Sequence, residues 1–136
     1  MPSILSASQL HQIACVITFL TILGCSRSHQ PPLGLVSGTV TLDGVPLANA
    51  IVRFTPTGPG RTSEGITDAD GHYELRYLRA IRGANIDQHT VRITTASEEN
   101  GGQELLPPRY HSRTELEARV ASGSNDLDFV LRLRAR

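Results

Sequence analysis

From Val36 onward, apolar and polar residues alternate with a period of two, the repeat of a half-buried strand. Val36, Gly38, Val40 and Leu42 face one way, and Ser37, Thr39 and Thr41 face the other. The same alternation predicts strands over residues 48–55, 72–77, 89–94, 115–120 and 127–134, with a weaker seventh near Gly65–Thr67. Asp43-Gly44 and Asp68-Ala69-Asp70-Gly71 mark turns, because Asp and Gly tolerate the left-handed backbone of tight connections. Residues 56–65 read as a loop. Residues 78–88 and 97–113 form the longest irregular stretches, the first with room for one helical turn.

Strands that are apolar on one face and polar on the other suit antiparallel sheets with one solvated side. Their number and spacing predict an all-β fold, a single antiparallel β-sandwich of about seven strands over residues 36–136. Its expected core is Val40, Val52, Phe54, Tyr73, Leu75, Val91, Ile93, Leu116, Leu127, Phe129 and Leu131.

Two stretches are more specific than alternation. Val36-Ser-Gly-Thr-Val-Thr-Leu-Asp-Gly-Val-Pro-Leu-Ala-Asn-Ala-Ile-Val52 resembles the opening of carboxypeptidase-regulatory-like domains: a strand, a Gly-x-Pro-Leu turn and a second strand. Thr67-Asp-Ala-Asp-Gly-His-Tyr-Glu-Leu75 is similar to that family's Thr-Asp-x-x-Gly-x-Tyr-x-Leu hairpin, and residues 89–94 are similar to its later core strand. The resemblance implies a transthyretin-like (prealbumin-like) sandwich of seven strands. It assigns no activity.

The N-terminus changes the picture of where such a domain works. Residues Ile13–Leu23 are uncharged and nearly all apolar, too short to span a bilayer and of signal-peptide length. The first 12 residues contain no Arg or Lys. Ile22-Leu23-Gly24-Cys25 resembles the bacterial lipobox, whose cysteine thiol takes a diacylglycerol by thioether. The resemblance implies a lipoprotein signal peptide over 1–24, palmitate-type acylation of Cys25, and attachment to the membrane through that lipid. Cleavage would discard Cys15 and leave Cys25 as the one cysteine of the mature chain, so no disulfide is expected. Residues 25–35, rich in Ser, Gln, Pro and Gly, read as a tether reaching about 30 Å at about 3.1 Å per extended residue. Ser26 in place of Asp points to the outer membrane of the cell envelope in the lipoproteins this resembles.

Composition removes several chemistries. Charges balance at 13 Lys+Arg against 13 Asp+Glu, which argues against nucleic acid as a partner. All 13 bases are Arg, so Lys-dependent catalysis and Lys–Asn isopeptide bonds are excluded. Aromatics are 4% with no Trp, too few for stacking platforms. No cofactor is implied.

Four constellations carry candidate chemistry. Asp68-x-Asp70-Gly71 opens like a calcium loop, but position 12 is Arg79 where a Glu ligand belongs, so a turn is preferred and weak calcium binding is the alternative. His72, His89 and His111 lack metal-ligand spacing and read as solvated or half-buried. Pro107-Pro108-Arg109-Tyr110-His111 either presents Arg109, Tyr110 and His111 to a partner or folds Tyr110 back over the sandwich edge. Outward Arg53, Arg76, Arg92, Arg119, Arg132 and Arg134 pair with interleaved acids, or form a patch for anionic lipid headgroups or acidic glycans.

These features predict a lipid-anchored, non-enzymatic envelope module with a structural, adhesion or protein-docking role. The alternative is a hydrolase on the same fold, as in hydroxyisourate hydrolase. The chain ends Leu133-Arg-Ala-Arg136 rather than in that enzyme's Tyr-Arg-Gly-Ser.

Overall fold

The computed structural model describes residues 29–135. The signal-peptide segment and Cys25 lie outside the described residues. In chain order the strands are β1 (Leu33–Leu42), β2 (Val45–Pro46), β3 (Ile51–Pro56), β4 (Ser63–Ile66), β5 (His72–Glu74) and β6 (Arg76–Leu78). Then come β7 (Ile81–Arg82), β8 (Ala84–Asn85), β9 (Gln88–Thr94), β10 (Glu117–Arg119), β11 (Ser124–Asp126) and β12 (Phe129–Leu131). A 3-10 turn covers Pro108–Tyr110. The described residues form two six-stranded sheets. One gathers β2, β5, β8, β11 and β12 around β1, and the other runs β10-β9-β3-β4-β6-β7. The expected all-β sandwich is therefore present.

Alternation selects the buried face. Val36, Val40, Val52, Phe54, Tyr73, Leu75, Val91, Ile93 and Leu131 are buried between the sheets, and Leu116, Leu127 and Phe129 pack against them half-buried. Each large side chain removed from water contributes roughly 1.5–3 kcal/mol before entropy is counted. Phe129 joins the sheets by meeting Phe54 edge-on at 6.1 Å and 77°, and Tyr73 at 6.3 Å. Such pairs add to area burial through ring electrostatics.

The hairpin turn follows from two residues. Asp43 and Gly44 have φ of 51° and 82°, and Leu42 pairs with Val45. Positive φ at both central positions is the type I′ arrangement, whose twist matches the flanking strands.

Several elements differ from the alternation. The stretch 72–77 is two strands, because Leu75 crosses between sheets: its N–H donates to the Val36 carbonyl, and its carbonyl accepts from Gly83. Residues 78–88 hold β7 and β8 rather than a helical turn. Gly83 (φ 110°) makes the bend between them, and a Cβ there would meet the Gly34 carbonyl oxygen at 2.5 Å. The weak seventh strand is β4. The domain begins inside the expected tether: Leu33 and Gly34 pair with Asn85 and Ala84. Finally, β11 and β12 run parallel to β1, which two-residue hairpins cannot produce. The chain reaches them from β10 through Ala121–Gly123, where Asn125 accepts from Ala121 N and donates to the Leu35 and Ala121 carbonyls.

The loop after β9 is organised by one carboxylate. Glu104 accepts from the Thr94 hydroxyl, from Thr95 N and Oγ1 at 3.0 and 2.8 Å, and from Leu106 N at 3.0 Å. Burial alone would raise its pKa, but these donors outweigh it and hold the group at about 2. The folded state thus favours the carboxylate. Its contribution to stability is complete above the ordinary value of 4.5 and is lost as pH falls through about 2. Glu104→Gln should lower the thermal midpoint at pH 7, and its gap to the parent should close between pH 4.5 and 2. A constant gap across that range would show that the charge is not what matters. The register makes a second prediction. Val52→Asp places a charge in the core and should abolish folding, whereas Thr55→Asp on the outer face of β3 should leave circular dichroism and cooperative melting intact.

Candidate functional site

A groove of about 980 Å³ lies over the outer face of the β1 sheet and runs onto β4. It follows from pairing. Ser37 of β1 stands between Glu74 of β5 and Asp126 of β11, and Thr39 stands opposite His72. Asp128 completes the second row by accepting from Thr39 N at 2.8 Å. Under the groove the backbones approach closely: an inward Cβ at Gly38 would lie 2.0 Å from the Leu127 carbonyl oxygen, and one at Gly65 2.5 Å from that of Glu74. Beneath it, Tyr73 donates its hydroxyl to the Leu127 carbonyl. Burial pushes that hydroxyl's pKa well above the usual phenol range, and Asp128 and Asp126 push it further, so Tyr73 stays a neutral donor.

Thr39 Oγ1 lies 3.0 Å from His72 Nδ1, a hydroxyl–imidazole contact that sequence spacing did not reveal because it crosses 33 residues. A nucleophile and base also need a group to orient the imidazole. The adjacent Asp68 carboxylate is spent on the backbone, with Oδ1 accepting from Asp70 N at 2.9 Å and His72 N at 3.0 Å. The contact ties β5 to β1. These same bonds, with Gly71 at φ 77°, make Asp68–Gly71 a turn. Asp70 is exposed beside it. Among the described residues no group of three His, Cys, Asp or Glu side chains is placed to hold a metal ion.

The three histidines occupy separate environments. His72 is exposed in the groove. His111 is half-buried, with Nε2 3.0 Å from the Leu106 carbonyl oxygen. His89 departs from the solvated or half-buried expectation and is fully buried. Its Nε2 lies 2.8 Å from the Asn85 carbonyl oxygen, and its ring centroid is 5.6 Å from that of Phe54. The ring sits on the apolar side of β9 in register with Val91 and Ile93, the position its place in the alternation assigns.

Arg109, Tyr110 and His111 turn back onto the domain. The Tyr110 hydroxyl donates to the Arg132 carbonyl at 3.2 Å and accepts from Arg132 N at 2.9 Å. Arg109 lies over the Tyr110 ring at 4.8 Å and donates to the same carbonyl. Arg132 directly follows β12, so this loop braces the end of the C-terminal strand and occupies backbone groups that would otherwise stand at a sheet edge.

Comparison with protein-family models, with curated proteins and with solved structures finds no match to this chain.

Tyr110→Phe keeps the ring and removes the hydroxyl that serves Arg132. It should cost roughly 1–2 kcal/mol in chemical denaturation, the penalty of unpaired backbone groups. An unchanged midpoint would mean that water replaces the hydroxyl and that the brace contributes nothing.

Proposed function

We propose that this chain is a lipid-anchored, non-enzymatic module of the bacterial cell envelope, held to the outer membrane through Cys25 and offering the outer faces of its sandwich to partners. The observation that carries this reading is how the chain enters the fold. The tether runs directly into β1, which is hydrogen-bonded to β5, β2 and β8 on one flank and to β11 and β12 on the other. A pull along β1 loads those bonds sideways, so many must break together. A domain tethered at this strand suits a structural or adhesive role.

The lipobox-like Ile22-Leu23-Gly24-Cys25 supports the anchor, and the likeness of residues 36–52 and 67–75 to carboxypeptidase-regulatory-like domains supports a module of that kind. The side chains with the greatest chemical promise also support it, since Asp68, His89 and Tyr110 serve the turn, the core and the brace.

Cells expressing the full chain should incorporate labelled palmitate and retain the protein in the membrane fraction. Cys25→Ser should abolish both, since lasting attachment needs more than one acyl chain. Equal labelling of the variant would refute the anchor.

A further inference from the structure

The outer face of the second sheet carries a feature that the anchor does not explain and that meets the groove at Glu64 and Arg76. Successive pairings place Arg92 of β9 opposite Arg53 of β3, Arg53 opposite Glu64 of β4, Glu64 opposite Arg76 of β6, and Arg76 opposite Arg82 of β7. Five adjacent strands thereby align four guanidinium groups and one carboxylate over roughly 20 Å, at about 4.8 Å per strand. All five side chains are exposed. At Arg53–Arg92 and Arg76–Arg82, like charges stand directly opposite, which costs stability in a sheet. Glu74 reaches both Arg76 and Arg82 and offsets that opposition, whereas Arg92 faces Arg53 with no acid of its own among the described residues. A like-charge cost left standing on an exposed face marks a place where function outweighs local consistency.

The acids nearby leave the row cationic. Glu64 holds Arg53 through Nε at 2.6 Å. Glu74 holds Arg82 through Nε at 2.9 Å and reaches Arg76 at 3.9 Å. Arg92 makes no ion pair among the described residues. Each of these pairs uses part of a five-donor fork, so donors remain for a ligand. Hydroxyls flank the row on one side, where Thr90 stands opposite Thr55, whose Oγ1 lies 2.9 Å from that of Thr62; on the other side Thr94 stands opposite Ile51 with its hydroxyl given to Glu104. The loop of Ala96, Ser97, Glu98, Gly101 and Gly102 walls a hollow of about 640 Å³ over Ile51 and Arg53.

We propose that this row binds a linear acidic glycan, a carboxylated or sulfated polysaccharide laid across the strands. Guanidinium forks match carboxylate and sulfate oxygens in pairs, and the hydroxyls of Thr55, Thr62 and Thr90 meet sugar hydroxyls. A narrow chain meets the row and little else. A flat anionic bilayer would also press on Glu117, opposite Thr90, and on Glu98 of the loop, both of which repel it. The site does not depend on acylation of Cys25, so the two readings fail separately.

The test uses the detergent-solubilised full chain and immobilised alginate, a linear polyuronate, with dextran as the neutral control. Alginate should bind and dextran should not, and affinity should fall as salt rises. Arg92→Gln and Arg53→Gln should each weaken binding about tenfold, the loss of a charge-assisted contact. Arg92→Lys should fall between Gln and the parent, since it keeps the charge but not the fork. Arg134→Gln changes net charge equally away from the row and should bind as the parent does. Without ligand, Arg92→Thr should raise the thermal midpoint by relieving the Arg53–Arg92 opposition. Equal losses for Arg134→Gln and Arg92→Gln would reduce the effect to net charge and overturn the site. Binding to phosphatidylglycerol vesicles but not to alginate would overturn the glycan.

Discussion

The fold depends on β1 being paired on both flanks while its inward side is kept small. Val36, Gly38 and Val40 point into the sandwich and are buried, and five strands take their register from this one. Gly38 is the tightest point. The Leu127 carbonyl and the Tyr73 ring close over it so nearly that any side chain would part β1 from its neighbours. That closeness lets Tyr73 reach the Leu127 carbonyl and lets Phe129 meet both Tyr73 and Phe54. Contact between the two sheets is thus built outward from a backbone approach that a glycine permits.

The sheets differ in what they show to solvent. The outward positions of β1, β5 and β11 carry Ser37, Thr39, His72, Glu74 and Asp126, with no arginine among them. The arginines Arg53, Arg76, Arg82 and Arg92 collect on the other sheet. A chain with no formal net charge therefore has an acidic stretch and a basic stripe, which meet where Glu74 pairs with Arg76 and Arg82. Partner choice at such surfaces follows local potential rather than net charge.

The side chains that invite a catalytic or metal reading are the ones the fold uses most heavily. Asp68 closes a turn, Glu104 gathers a loop, Tyr110 caps a strand end and His89 fills the core beside Phe54. The cost of ordering Asp68, Glu104 and Tyr110 is offset by bonds to nearby backbone, whereas His89 bonds through Nε2 alone and leaves Nδ1 buried without a partner. Polar groups of this kind set where irregular segments end.

Alternation by itself determined the all-β class, the face the main strands bury and the large side chains they bring to the core, because the side-chain period of a strand is local geometry; Ala84, Leu106 and Tyr110, buried from irregular or short segments, lay outside it. His89 belongs to this legible part, since its phase with Val91 and Ile93 gives it an inward position, though imidazole polarity argues for solvent. The Asp43-Gly44 and Asp68–Gly71 turns were legible for the same local reason. Lateral neighbours were not legible. Whether Arg53 meets Arg92 or a threonine depends on a register set by turns and core fit many residues away, and a shift of one position would send these arginines inward. The parallel approach of β11 and β12, the crossing at Leu75 and the grasp of Tyr110 on Arg132 are likewise long-range choices. They are decided by which backbone groups remain to be paired once the sheets have closed, and only the tertiary structure settles that.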